Sequence, residues 1–243
     1  MNYIELNGKS SQYVQGLIIQ SLAPITKPKI RTTVEEIDGR DGDIVTRLGY
    51  SAYDKEISIG LSWNYDIDEV IQYFVDNDKG TVVFSNEEDK LYKYEILDQI
   101  DFEKLIRFKT AKVKFHVQPF KYSSIETVKT WHKDSGPITD TTNSIIVRNS
   151  GNYFSRPTLT IHGTGEIHVY LNALQILTID LVENTQITID SEQMEAYNKA
   201  TSVLMNRNVS GNYENIKLSI GKNVISWDGN VTSFEISNFS RWI

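Results

Sequence analysis

The chain is expected to be a two-domain, mainly β protein: an α+β unit followed by a jelly-roll β-sandwich. Three observations carry that expectation. One stretch alone, with Ile67, Val70, Ile71 and Phe74 at i, i+3, i+4 and i+7, has the spacing of an amphipathic helix, and it sits among segments that alternate as strands do. Beyond residue 144, about nine short apolar segments are separated by turn signals. Between the two halves the chain turns polar, with Gly136-Pro137 and few apolar residues. The expected boundaries are therefore residues 1–122, a linker or loose first strand over 123–143, and a sandwich over 144–243.

In the first domain Tyr3–Leu6 and Gly16–Ile19 read as short strands, and Pro24 and Pro28 prevent an inner-strand continuation. The stretch from Val34 to Tyr50 centres on Gly39-Arg40-Asp41-Gly42, where glycine supplies positive φ and aspartate tolerates a tight turn. Val34 and Ile37 before it, and Ile44, Val45 and Thr46 after it, make a hairpin. Both arms are rich in charge, with Glu35, Glu36, Asp38, Arg40, Asp41, Asp43 and Arg47, so the ribbon cannot bury itself well, and an isolated hairpin is marginal in water. It is either a solvated surface loop or an oligomerisation arm.

Lys55 to Trp63 then alternates, with Ile57, Ile59, Leu61 and Trp63 on one face, which makes Trp63 a core residue. Asp66 is a suitable N-cap for the helix with Glu69 three residues on, and Asn77-Asp78-Lys79-Gly80 ends it. Thr81–Phe84 and Leu91–Leu97 resume strand. Ile106 and Phe108 fall on even positions while Ala111, Val113, Phe115 and Val117 fall on odd ones, a phase change that predicts a β-bulge near Lys109-Thr110.

The second domain's strands are expected at Ile145–Val147, Leu159–Ile161, Ile167–Leu171, Ile176–Ile179, Ile187–Ile189, Val203–Met205, Ile216–Ile220, Val224–Trp227 and Val231–Phe239. Turns are expected at Gly163-Thr164-Gly165 and Asp228-Gly229-Asn230, among others, and a helical turn or crossing loop at Glu192–Lys199.

Composition narrows the function. Hydrophobic residues make 40% and charged residues 23% of the 243, which is globular composition. The net charge of −7 disfavours a dedicated nucleic-acid binder. Without cysteine there is no disulfide, thiolate nucleophile or Cys-based metal site. No stretch approaches the length of a membrane span, and the opening MNYIELNGKSSQ shows no signal peptide pattern. His162 and His168 flank the Gly-Thr-Gly turn and would face each other across a hairpin, with Glu166 as a third metal ligand; a satisfied histidine is the simpler account. Lys104, Arg107, Lys109, Lys112 and Lys114 read as a solvated strand face. No catalytic residue, metal ligand set or cofactor motif is assigned.

Two series of motifs nevertheless resemble one family. The first is Ile37-Asp38-Gly39-Arg40-Asp41-Gly42, Tyr53, the Ile57–Trp63 strand, the Ile67–Val75 helix, Gly80–Ser85 and Gln118-Pro119-Phe120-Lys121-Tyr122. The second is Asn149-Ser150-Gly151-Asn152, Arg156-Pro157, Ile187–Asp190, Leu218 through Asn223, and Trp242. In this order and spacing they are similar to the distal tail (Dit) proteins of long-tailed phages of Gram-positive bacteria.

The resemblance implies a virion structural protein of the tail tip or baseplate, made in the host cytoplasm, with no enzymatic activity. It implies a hexameric ring formed by the first domain, with Ile37, Gly39, Arg40, Asp41, Gly42 and Ile44 in an arm that reaches a neighbouring copy. It further implies a galectin-like second domain, and as partners the tail tube, tape-measure, tail-associated and receptor-binding proteins, with DNA passing through the ring unbound. Galectin sugar motifs are missing: His168-Val169-Tyr170-Leu171-Asn172 and Trp227-Asp228-Gly229-Asn230 do not reproduce them. The alternative is a carbohydrate-binding module for host wall glycans, with Tyr153, Tyr170 and Trp242 as its aromatic platform.

Overall fold

A computed structural model describes residues 1–133 and 143–243, and the Gly136-Pro137 turn lies outside them. The chain forms two compact units, Met1–Ser124 with Ile243, and Ile125–Trp242.

In the first unit the strands are β1 (Ile4–Leu6), β2 (Lys9–Ser10), β3 (Leu17–Ser21), β4 (Ile30–Glu36), β5 (Asp43–Tyr50), β6 (Tyr53–Leu61), β7 (Lys79–Phe84), β8 (Lys90–Glu95) and β9 (Thr110–Ser123); α1 (Ile67–Val75) and α2 (Phe102–Phe108) interrupt them. Seven of these strands form an antiparallel sheet in the order β2-β1-β7-β8-β9-β6-β3, whereas β4 and β5 form a two-stranded sheet of their own. The alternation along β6 puts Ile57, Ile59 and Leu61 into the core beside Ala111, Val113, Phe115 and Val117 of β9. Helix α1 covers this core with Val70, Tyr73 and Phe74, and the Asp66 carboxylate caps it by accepting from the Asp68 and Glu69 amides at 3.0 and 3.2 Å.

Two expectations for this unit need correction. There are two helices, and the phase change at Lys109-Thr110 is a helix-to-strand junction rather than a bulge. Residues 102–108 are helical, Asp101 caps them by accepting from the Lys104 amide at 2.8 Å, and Lys109 closes the helix in the left-handed region at φ 56°. Ile106 and Phe108 therefore lie in the helix and are both exposed, and only Leu105 of this turn is buried. Trp63 is fully exposed rather than core. The strand ends at Leu61, the Ser62 amide donates to Gly16 O at 2.9 Å, and the chain turns toward α1, so period two no longer applies at residue 63.

The second unit holds β10 (Lys129–His132), β11 (Ser144–Asn149), β12 (Thr158–Leu171), β13 (Leu174–Asp190), β14 (Glu195–Tyr197), β15 (Val209–Gly211), β16 (Gly221–Ser237) and β17 (Arg241–Trp242). Instead of many short strands, three long ones dominate. Gly163-Thr164-Gly165 and Asp228-Gly229-Asn230 are not turns. Each is a register shift inside a continuous strand, and the two lie side by side where β12 pairs with β16. A Cβ on Gly229 would come within 2.4 Å of Glu166 O, so the bends require glycine for close approach as well as for its φ of 93°.

Bending gives the two outer long strands, β13 and β16, two partners each on the edge away from β12. Beyond the bend β16 pairs with β10 on one stretch and β11 on the other, and β13 likewise pairs with β14 and β15. The sheet therefore folds into two halves, ordered β10-β16-β12-β13-β14 and β11-β16-β12-β13-β15, whose apolar residues share one core. Strands that cross between layers at bulges are one way to close a sandwich. Trp227 lies in that core, stacked on Phe234 at 4.4 Å and edge-on to Trp131 at 5.0 Å. The Glu192–Lys199 segment contains β14. Val203–Met205 and Ile216–Ile220 contribute only single bridges, Leu204 to Tyr197 and Leu218 to Ser155.

Candidate functional site

The ribbon of β4 and β5 is the part of the first unit that has not buried itself. Its register pairs Val34 with Val45, Thr32 with Arg47 and Ile30 with Tyr50 on one face, and Glu35 with Ile44 and Thr33 with Thr46 on the other. Val34, Val45 and Leu48 are each more than half exposed, and Ile37 at the tip nearly so. A shift between Arg31 and Thr32 leaves Leu48 unpaired as a bulge, which blunts and twists the ribbon near its root. Covering these side chains would gain roughly 1 kcal/mol apiece.

Charge at the tip works against the free ribbon. Glu36 and Asp43 sit directly opposite one another, a like-charge pairing that destabilises a two-stranded sheet. Asp38, Arg40 and Asp41 follow in the fully exposed turn, where the Arg40 amide donates to Ile37 O at 3.2 Å. Gly39 and Gly42 adopt φ of 83° and 82°, and an added Cβ at either would meet nothing within 4 Å. Glycine is required there for its backbone alone. Of the arm residues singled out from sequence, Ile37, Gly39, Arg40, Asp41 and Gly42 form the tip and Ile44 is the second residue of the return strand. At the root, the Ser51 amide donates to Lys29 O at 2.9 Å and the Tyr50 ring packs edge-on against Phe120 at 5.8 Å.

A groove of about 710 Å³ beside α1 is lined by Tyr3, Glu5, Tyr13, Glu69, Tyr73 and Asp76 among others. The Tyr73 hydroxyl there is engaged with Lys9 O at 3.0 Å, and burial holds it well above the usual phenol range. His162 and His168 lie on the same strand, β12, so they do not face each other across a hairpin. His168 instead contacts Asp228 of β16 at 2.6 Å and Glu166 at 3.3 Å, and the Tyr170 hydroxyl donates to the other oxygen of Asp228 at 2.9 Å. These bonds, the imidazole's first, hold the Asp228 carboxyl below its ordinary value. No group of three metal-ligating side chains occurs among the described residues. Lys112 pairs with Glu56 at 2.5 Å, Lys114 with Asp98 at 2.6 Å and Arg107 with Glu103 at 3.5 Å, so carboxylates already oppose the basic run.

The three aromatics of the sugar-binding alternative are each engaged within the chain or partly covered, and Tyr153 and Trp242 lie at the same strand, β17. Tyr153 bridges to Arg241 and tilts against Phe154 at 4.5 Å, Tyr170 is bound to Asp228, and Trp242 is half-buried in β17. The motifs of the second unit prove to be clasps. Asn149 is buried and donates to Tyr153 O at 2.8 Å and Leu218 O at 3.2 Å while accepting from the Gly151 amide at 2.9 Å. Arg241, also buried, donates to Phe154 O at 2.9 Å, and Arg156 to Ser191 O at 3.1 Å.

Sequence reasoning missed a buried ionic cluster under the arm's root: Lys55 of β6, Lys121 of β9, Tyr92 of β8 and Glu87. A signal was present. Lys55 is in phase with Ile57, Ile59 and Leu61, and Lys121 with Phe115 and Val117, so both lysines point to the buried face.

No protein-family model matches this chain, and no curated protein does. Solved structures do. The SPP1 Dit (gp 19.1) protein, described as a hub adsorption apparatus of phages that infect Gram-positive hosts, superposes with a TM-score of 0.62 over 100% of both chains at 14% identity. A chain of the phage P2 baseplate in its activated conformation with Ca gives 0.60 at 9% identity, covering 100% of this chain and 98% of that one. The corresponding baseplate with Sr gives 0.55 at 10% identity, covering 98% and 99%. The likeness extends from end to end, and the chain has the Dit fold.

Proposed function

We propose that this protein is a structural, non-catalytic component of a phage tail tip: a distal tail hub in which copies join into a hexameric ring through the β4–β5 arm. The observation that carries this is the arm itself, a ribbon in a sheet of its own with an exposed Val34–Val45 stripe and a net acidic tip. Such a ribbon gains most by lying on another surface. In a head-to-tail ring the receiving surface is the next copy, so every arm is covered and no edge is left. The end-to-end likeness to a phage hub protein and to baseplate chains supports the same assignment. On it the second unit is a galectin-like sandwich that carries baseplate or receptor-binding proteins, and the ring joins the tail tube and tape-measure proteins to the tail-associated protein in the virion. DNA passes through the ring unbound, in keeping with the acidic chain.

The test is mass in solution by light scattering across a concentration range, with and without co-expressed tail tube and tail-associated proteins. The parent is expected to reach six copies in at least one of these conditions. Replacing Gly39 and Gly42 together by Val forces β-branched residues to positive φ, at about 1–3 kcal/mol each within the arm. That variant should remain folded but stay below six copies. Normal assembly of the variant removes the arm from the interface, and a parent that never assembles removes the ring.

A further inference from the structure

The segment that carries the chain from β3 into the arm, residues 22–29, forms no strand. Two side chains from elsewhere hold its backbone instead. Lys55 Nζ donates to Pro24 O at 3.0 Å, and Asn86 Nδ2 donates to Ala23 O at 3.0 Å. Lys55 is only 2% exposed, and its ammonium lies over the rings of Phe84 and Tyr92, at 5.2 and 5.0 Å from their centroids. Tyr92 donates its hydroxyl to one oxygen of Glu87, and Lys121 donates to the other at 2.7 Å. Glu87 follows Asn86 directly, and its amide donates back to Phe84 O at 2.8 Å. The donor to Ala23 therefore sits on a loop that the buried carboxylate fixes to β8 and β9.

A buried ammonium is costly, and burial pushes the Lys55 pKa down against the opposing pull of Glu87. An apolar side chain of similar length would serve the core as well or better, as buried ions often do not repay their desolvation. What it could not do is bind the Pro24 carbonyl.

We infer that Lys55 is a positioning residue: with Asn86 it clamps residues 23–24 to the core and so fixes the direction in which the arm leaves the first unit. This rests on the assignment of the arm as the grip between copies, and it adds how one copy keeps that grip aimed. The clamp secures the outgoing side of the arm, while the Tyr50–Phe120 contact secures the return side. A ribbon held at both roots loses little further freedom on docking, which is how preorganisation raises affinity.

The chain has no cysteine, so two can be placed at will. Spin labels at D41C in the arm tip and E103C in α2, diluted with unlabelled protein, report the arm's direction by pulsed double resonance whether or not copies assemble. The parent is expected to give one narrow distance distribution. Lys55→Met should melt like the parent, because Glu87 keeps Lys121, yet broaden the distribution at least twofold; Asn86→Ala should broaden it less. A folded K55M with unchanged width, or a parent that is already broad, overturns the clamp. If K55M does not fold, the exposed N86A decides, and an unchanged width there overturns it too. Failure of ring assembly with a narrow parent and a broad K55M would count against the hub alone.

Discussion

The arm and the bent strands of the second unit are built from similar sequence and end in opposite places. Both are antiparallel pairs with glycine-bearing interruptions: Gly39-Arg40-Asp41-Gly42 in one, Gly163-Thr164-Gly165 and Asp228-Gly229-Asn230 in the other. In the arm the interruption reverses the chain, the flanks stay exposed, and the glycines have open space around them. In the sandwich the interruptions lie inside continuous strands, their flanks are buried, and Gly163 and Gly229 sit against neighbouring backbone, while Gly165 alone has open space. The difference comes from the flanks. Leu159, Ile161, Ile167 and Val169 can be buried on both sides of the interruption, so keeping the strand continuous preserves a paired ladder and a core. Glu35, Glu36 and Asp43 cannot, and the chain reverses at once. Glycine permits a bend or a turn, and burial selects between them.

The sharpest way to break this contrast is Gly229→Val. At φ 93° and with Glu166 O 2.4 Å from the new Cβ, it combines backbone strain with overpacking, together about 2–6 kcal/mol. Urea unfolding should show the second unit destabilised by that amount and the first unit untouched; a shift under 1 kcal/mol would mean the bend is not rigid.

Asp228→Asn, beside that bend, should do far less, under about 1 kcal/mol, since the cluster with His168 is largely exposed. Its pH signature is more telling. The folded carboxyl titrates below its unfolded value of 3.8, so the stability it contributes is present above that value and lost as pH falls through the lowered one. The variant should lose this part of the acid sensitivity in melts taken between neutral and strongly acidic pH.

Smallest in stability is the pair Val34→Ser with Val45→Ser. Both side chains are already more than half exposed, so the melting of the isolated protein should move by no more than about 0.5 kcal/mol. Assembly, measured by light scattering, should weaken severalfold. Equal effects on both readouts would make the stripe part of the chain's own fold.

The local devices were legible in the residues: the Asp66-capped helix, the alternation of β6 and β9, and the hairpin at Gly39–Gly42. The α2 helix was not, because its seven residues carry too short a period to separate from a bulged strand, and only the Asp101 cap and the left-handed Lys109 distinguish them. Trp63 was misplaced because alternation says which face a residue would take and not where the strand stops. The clamp was half visible. Lys55 and Lys121 stand in phase with buried positions, but their partners Glu87, Tyr92 and Pro24 are brought in from three other places in the chain.

By itself, then, the sequence determined the things that depend on neighbours within a turn or two: element type, caps, the reversal of the arm and its inability to bury itself. Only the tertiary structure decided which glycine signals are turns and which are bends, which lysines are buried, and how β10, β11, β14 and β15 share the outer edges of β16 and β13. The physical reason is that those outcomes are settled by competition for burial and backbone partners between residues as far apart as Gly163 and Asn230, or Lys55 and Glu87, and such competition leaves no periodicity in either segment alone.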